Sequence, residues 1–344
     1  MGTPLDIEDE SQLVAWLRTR HHIARDESPR IRILAGGVSN RTVRIDRPNG
    51  DSWVLKQALS KLRVPVDWFC PPERVHREAL GMRTLATLAP PGAIPRFLFE
   101  DTTHHLIAME AVPEPHDNWK TLLLAAAPVP ELVRQFGQLL GTLHRNAAAQ
   151  ATPLKEPFAD RTYFENLRLE PFYTYTATRL PDAAPFLQRL VADTRAPGRT
   201  LVHGDYSPKN ILVHQNRLIL LDHEVIHWGD PMFDVGFATA HLLCKAHRFA
   251  VRRLAFASAV TRFWTAYHQA AGSRLASPAA ERRAVRHTLA CLLARAAGRS
   301  QVEYLSPEAK SRQCRAGVRL LANPPESMTA VAPAFLDALQ RLSR

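Results

Sequence analysis

The chain has 344 residues, of which 46% are hydrophobic and 22% charged, with a formal net charge of +11. That balance is typical of a globular protein, and the length suits a large core divided between two lobes. Met1–Glu10 is acidic where a signal peptide would be basic and apolar, no apolar run approaches the roughly 20 residues that span a bilayer, and Cys70, Cys244, Cys291 and Cys314 lack metal-ligand spacing, so a cytoplasmic chain with reduced thiols is expected.

In chain order, Asp9 or Ser11 caps an amphipathic first helix extending to about His22, with Leu13, Val14, Leu17 and Trp16 on its apolar face. Ile31–Leu34 and Thr42–Ile45 are β-branched strand runs. The turn between them holds Gly36 and Gly37, with Ser39 and Asn40 beyond. Such a turn either brings backbone N–H groups close to phosphate oxygens or simply joins a hairpin. Ser52–Lys56 predicts a strand ending on Lys56, and Pro72–Leu88 predicts a helix carrying Glu78. Two more strands are predicted at Pro95–Glu100 and His105–Glu110, leading through Val112 into a proline-bearing segment. Glu131–Ala149 has Leu132, Phe136, Leu139, Leu140 and Leu143 at helical spacing, and His144 near its end suits packing or capping. Pro153–Pro157 and Pro181–Pro185 mark breaks between the helices that follow.

The densest chemistry lies in Leu201–Asp222. The apolar run Thr200–Val202 ends at His203-Gly204, which puts Asp205 where a buried strand gives way to a loop. Ile211–Val213 and Leu218–Leu221 flank a polar turn and predict a hairpin. Antiparallel pairing brings Asn210 at one end next to Asp222 at the other. Phosphoryl transfer needs a carboxylate to orient a hydroxyl nucleophile, here Asp205, and a few oxygen ligands for Mg²⁺, here Asn210 and Asp222. Glu224 faces the same way as Asp222 along an extended segment and is a candidate further metal ligand. Asp230 and Asp234 fit structural roles, Asp230 at a helix start and Asp234 fastening the catalytic loop from behind.

Further helices are predicted near 232–244, 248–271, 278–298, 306–322 and 329–342. Residues 237–344 hold 17 Lys and Arg against 5 Asp and Glu, so the basic excess is concentrated there. This opposes polycationic acceptors, which need an acidic surface. No groove-reading or zinc motif accompanies it to suggest nucleic acid.

His203-Gly204-Asp205, Asn210 five residues after that Asp, and Asp222 downstream resemble the aminoglycoside phosphotransferase and choline kinase superfamily. The resemblance implies an α+β, bilobal, protein-kinase-like fold, with residues 1–112 as a β-rich N-terminal lobe and 113–344 as a helical C-terminal lobe. ATP is then expected between the lobes, contacted by the turn with Gly36, Gly37, Ser39 and Asn40, by Lys56 braced by Glu78, and by the hinge backbone at Glu110 and Val112. Around Lys56, the residues Leu62, Trp68, Arg74 and Glu78 are similar to methylthioribose kinases, as is the Asp222-His223-Glu224 motif. Arg295 lies where that family places substrate-binding arginines, although its neighbour is Ala294 and the loop ending at Asn210 also differs. Trp264 and Arg295 are the candidate acceptor contacts.

The implied activity is ATP- and Mg²⁺-dependent phosphorylation of a hydroxyl on a small sugar-like metabolite. The alternatives are an antibiotic O-phosphotransferase or a non-catalytic nucleotide-binding protein. The expected partner is a small-molecule hydroxyl acceptor, with no nucleic acid or membrane, and a homodimer is left open.

Overall fold

The computed structural model of the protein describes residues 5–34, 37–64 and 67–342. Its N-terminal part is an antiparallel sheet of five strands, β1 (Arg30–Ile33), β2 (Asn40–Asp46), β3 (Ser52–Ala58), β4 (Phe97–Asp101) and β5 (Leu106–Glu110), in the order β1-β2-β3-β5-β4. Period-two alternation explains how β3 serves two purposes. Trp53 and Leu55 point to one face, where they pack with Val43, Ile45, Leu106 and Ala108 beneath Leu13 and Leu17 of helix α1 (Glu10–Thr19). Val54 and Lys56 point to the other, which α2 (Arg74–Leu88) covers with Val75, Ala79 and Met82.

Asp9 caps α1 by accepting from the Gln12 backbone N–H. The helix stops earlier than periodicity predicts. His21 takes the left-handed conformation at φ 60°, with His22 N–H bonded to Leu17 O and His21 N–H to Arg18 O, the paired bonds of a Schellman motif.

The C-terminal part is helical. Two small pairings frame the loop that carries Asp205: β7 (Thr200–Val202) with β10 (His227–Gly229), and β8 (Ile211–His214) between β6 (Asp117–Asn118) and β9 (Arg217–Leu220). Around them lie α3 (Trp119–Ala125), α4 (Pro130–Ala149), the short α5 (Ala151–Lys155), α6 (Thr162–Phe164) and α7 (Tyr175–Arg179), and α8 (Ala184–Arg195). Then come α9 (Met232–Arg248), α10 (Arg253–Ala271), α11 (Pro278–Ala297), α12 (Pro307–Ala322) and α13 (Met328–Arg341). Pro153 sits inside α5 instead of breaking the chain, because the first turn of a helix has no intrahelical N–H bonds to lose. Between α6 and α7, Glu165–Thr174 forms a π-helix containing Pro171, an element the sequence reading did not include.

Every residue of α9 except Arg248 is buried, so this helix is the axis of the lobe, with α10 and α11 packed on it. The α4–α10 contact depends on Gly137 and Gly141. A Cβ at Gly141 would lie 2.7 Å from the Tyr267 carbonyl, and one at Gly137 would run into the Phe263 carbonyl. Only glycine permits backbones this close.

Candidate active site

The loop after β7 is held from behind by one carboxylate. Asp234, fully buried in the first turn of α9, accepts from the His203 backbone N–H at Oδ2 (2.7 Å) and from the Gly204 backbone N–H at Oδ1 (2.8 Å). His144 Nε2 lies 3.2 Å from Oδ2, and its Nδ1 lies 3.1 Å from the Tyr267 hydroxyl. Burial raises the proton affinity of Asp234, but His144, His203 and the Gly204 N–H outweigh it and hold the carboxyl below its ordinary value. An ionised Asp234 only accepts, so His144 donates to it through Nε2, while its Nδ1 shares a hydrogen bond with the Tyr267 hydroxyl. Asp234 thus fastens the loop, as the sequence suggested. Asp230 caps the start of α9 through the Met232 N–H and pairs with Arg283 at 2.8 Å.

Gly204 turns the chain at φ 79°, where an added Cβ would also meet Val225 Cγ2 at 2.9 Å. His203 accepts from the Asp205 N–H at Nδ1 (3.1 Å) and faces the Leu221 carbonyl with Nε2 (3.2 Å). The ring therefore links the loop to the end of the hairpin. Burial keeps it neutral by lowering its proton affinity.

Asp205 emerges from this turn with Oδ2 bonded to Asn210 Nδ2 (2.7 Å) and to the Arg168 guanidinium (2.7 Å). Asn210 also donates to the Asp205 carbonyl at 3.0 Å. Its nitrogen end is thereby committed to Asp205, and its oxygen is the end with metal-ligand chemistry. Asn210 closes a short 3₁₀ turn, Pro208–Asn210, immediately before β8.

The predicted hairpin forms with Ile211 opposite Leu220. Gln215 and Asn216, both at positive φ (48° and 58°), make its turn, and the Leu221 N–H bonds to the Asn210 carbonyl (2.9 Å). Asp222 follows in the left-handed region at φ 68°, a conformation that Asp tolerates better than most residues. That turn directs its Oδ1 to Lys56 Nζ at 2.8 Å. Lys56 also donates to both oxygens of Glu78 (2.7 and 3.0 Å).

One ammonium is therefore shared by the buried Glu78 and the half-buried Asp222, with Glu224 near enough to act on both Lys56 and Glu78. Burial opposes the charge on Lys56, but Asp222 and Glu78 outweigh it and raise its proton affinity. Asp222 is likewise opposed by burial, yet Lys56 and Lys209 hold it far below the usual carboxylate range. Glu78 moves the other way: burial raises its proton affinity, and repulsion from Asp222 and Glu224 adds to what Lys56 relieves. The cluster carries surplus negative charge, which suits a divalent cation.

Glu224, expected as a metal ligand, has its Oε2 engaged by Arg74 Nε (3.1 Å) and Asn40 Nδ2 (3.4 Å). Arg74 is completely buried and also donates to the carbonyls of Ser39, Leu59, Cys70 and Pro71. It ties the turn before β2 and the start of α2 to the segment after Asp222. Among the described residues no group of three His, Cys, Asp or Glu side chains forms a closed metal site.

Two cavities meet at Asp222. The first, about 310 Å³, lies between the sheet and the hairpin and is lined by Gly37, Lys56, Glu78, Glu110, Val112 and Asp222 among others. Gly36 lies outside the described residues. Ser39 borders the second cavity instead, with its carbonyl bound to Arg74, and Asn40 reaches Glu224. The Val112 carbonyl receives Arg44, and the Glu110 side chain turns outward to Arg96.

The second cavity, about 320 Å³, contains Asp205, Asp222, Glu224, Arg168, Lys209 and Arg295. Trp264 is not at either site. It is buried on α10 and stacked on Tyr267 at 5.8 Å, within the close α4–α10 packing, so its expected role as an acceptor contact is corrected to a core one. Arg168 was missed by sequence reasoning. It lies on the π-helix and donates to the Gly204 carbonyl at 2.9 Å as well as pairing with Asp205. Only the π-helical register, a feature often found at functional sites, marks it locally.

A sequence profile of the phosphotransferase enzyme family, APH, matches residues 30–277. A methylthioribose kinase of Pectobacterium carotovorum subsp. carotovorum (strain PC1) is 27% identical over 237 residues, which is 61% of this chain but only 58% of that enzyme's length. In fold, the chain is similar to amicoumacin kinase hAmiN in complex with AMP-PNP, Ca²⁺ and Ami (TM-score 0.59, 12% identity, 92% of this chain and 94% of that one). It is also similar to a choline/ethanolamine kinase family protein from Mesorhizobium loti (TM-score 0.54, 15% identity, 96% and 99%). The profile runs from β1 through α10 and so includes Lys56, Asp205, Asn210 and Asp222; the chain has the protein-kinase-like fold and belongs to the APH phosphotransferase enzyme family.

Proposed function

We propose that the protein is an ATP-dependent small-molecule kinase that transfers the γ-phosphate to a hydroxyl of a sugar-like metabolite, with a methylthioribose-like pentose as the leading acceptor. The observation that carries this reading is the position of Asp205 beside Asn210 in a cavity whose wall, Asp222, also borders the cavity containing Lys56 and Glu78. The nucleotide occupies the first cavity and the acceptor the second. The methylthioribose kinase relative and the AMP-PNP complex of a protein with this fold support the assignment.

Asp205 accepts the hydroxyl proton as the acceptor oxygen attacks phosphorus and ADP leaves. Arg168 and Asn210 hold its Oδ2, which fixes the plane of the carboxylate. Lys56, braced by Glu78, fixes the nucleotide phosphates. Asn210 and Asp222 supply the oxygen ligands for Mg²⁺, and Glu224 reinforces that acidic wall. Mg²⁺, when bound, offsets phosphate charge. Catalysis on this reading rests on positioning and charge neutralisation.

The test is Mg·ATP-dependent ADP release over a panel containing 5-methylthioribose, other pentoses, cyclitols and aminoglycosides. Asp205→Ala should lower kcat by about 10²–10⁴-fold while ATP affinity holds. Undiminished turnover in that variant would remove Asp205 from the chemistry. ATP binding without acceptor-dependent ADP release across the panel would favour a nucleotide-binding protein that does not transfer phosphate.

A further inference from the structure

Beneath the second cavity lies a group of cations that the reaction outlined above does not use. Lys245 of α9 is fully buried, and its Nζ donates to the His241 carbonyl at 3.3 Å and sits 5.4 Å from the Tyr304 ring centroid. His241, one turn earlier on the same helix, lines the cavity together with Lys120 and Arg295. Arg295 donates to the Ser300 carbonyl and hydroxyl and lies 5.6 Å from the Phe172 ring, leaving its buried Nε without a hydrogen-bond partner among the described residues. The buried hydroxyl of Tyr304 also lacks one.

The counter-charges are few. Lys120 pairs with Glu303 at 2.5 Å, and Glu303 is the one carboxylate among the groups that act most on Lys245, where Cys244 also favours its charge and Lys120 and Arg295 oppose it. Among the described residues neither Lys245 nor Arg295 has an acidic ion-pair partner. The acids at the other end of the cavity each have a cation already: Asp205 has Arg168, Asp222 has Lys56 and Glu224 has Arg74. Burial pulls Lys245 down to about 7, with Lys120 and Arg295 adding to the effect. Three cations facing one carboxylate under a cavity cost free energy that a bound anion would offset.

We propose that the acceptor carries an oxyanion, a carboxylate or a phosphate, and docks it at the Arg295–His241–Lys120 end of the cavity, with Lys245 behind, while its hydroxyl meets Asp205. This rests on the kinase reading and replaces its leading acceptor. The acceptor is a hydroxylated anion, with a polar tail where 5-methylthioribose has an apolar one. Arg295 makes the direct contact, its guanidinium having the geometry for two parallel bonds to an oxyanion. Lys245 is a positioning residue that acts through charge.

The experiment uses matched acceptors in Mg·ATP assays: ribose 5-phosphate against 5-methylthioribose for the phosphate arm, and glycerate against glycerol for the carboxylate arm. In at least one arm the anionic member should have a KM about tenfold below its neutral partner, the size of one charged hydrogen-bonding contact. Lys245→Met should erase that preference by raising KM for the anion with kcat and the neutral partner's KM held. A purely structural Lys245 would move neither ratio. Neutral partners favoured in both arms, or an anion preference untouched in Lys245→Met and in Arg295→Gln, would overturn the proposal. Should no acceptor release ADP, the kinase reading fails by itself, and anion binding is then measured by thermal shift with ribose 5-phosphate and glycerate in the presence of ADP. A stabilisation seen in the native chain and lost in Lys245→Met supports the anion site, and no stabilisation in the native chain overturns it.

Discussion

Replacing Asp234 tests whether one buried carboxylate holds the loop that carries Asp205. Its two oxygens receive the His203 N–H, the Gly204 N–H and His144 Nε2 at 2.7, 2.8 and 3.2 Å. Asp234→Ala leaves all three donors buried and unpaired, at about 1–3 kcal/mol each, so the loss is roughly 3–9 kcal/mol. Set against a typical folding stability of about 5–15 kcal/mol, that is most of the margin. Asp234→Asn keeps one acceptor oxygen but turns an NH₂ toward the other donors, and should lose roughly 2–4 kcal/mol. Urea unfolding midpoints rank the native chain, Asn and Ala, and the Asn variant, which stays folded, is assayed for nucleotide binding and turnover. Binding should persist while kcat falls, because the first cavity lies between the sheet and the hairpin and the loop from His203 to Ser207 does not line it. An Asp234→Ala protein within about 1 kcal/mol of the native chain would refute the account, as would an Asn variant with full turnover.

Lys56→Met leaves Glu78 and Asp222 without their shared cation, and breaking such a buried pair costs about 3–5 kcal/mol. The variant should melt lower, bind ATP more weakly, and recover more stability from added Mg²⁺ than the native chain does in the same thermal-shift series. Lys245→Met should be more stable than the native chain, by an amount that depends on pH. Folded Lys245 loses its proton near 7 and the unfolded chain near 10.4, so between these values the unfolded state binds more protons and native stability rises with pH. The advantage of Met is therefore largest below pH 7, at roughly 5 kcal/mol, and disappears toward pH 10. Unfolding midpoints of both proteins at pH 6 to 9 give the difference directly, and a pH-independent gap would contradict it.

The parts of the site legible in the sequence are those whose partners are close along the chain. The backbones on either side of the hairpin, at Asn210 and Leu221, come together because the strands between them pair through a two-residue turn, and Asp205 precedes Asn210 by one short loop. The helices α9 to α13 announce themselves by apolar periodicity, their observed ends lying within a few residues of those predicted. Arg168, Arg74 and Lys245 were not legible as buried cations. Each owes its role to groups distant in sequence, Arg74 to Glu224 and Arg168 to Asp205, and an arginine or lysine taken alone suggests a solvated surface. Trp264 was misplaced for a related reason: the glycines of α4 bring α10 close, and that proximity decides which side of α10 is covered.

The residue that separates the two cavities also joins them. Asp222 binds Lys56 on one side and borders the second cavity on the other, and its left-handed backbone gives it little freedom to move without releasing the lysine. On the kinase reading, substitutions that would change the acceptor fall at the distal rim, around Arg295, His241 and Lys120, which border the second cavity and not the first. On that reading an acceptor would be exchanged there one residue at a time, whereas a change at Asp222, which borders both cavities, would touch both occupants at once.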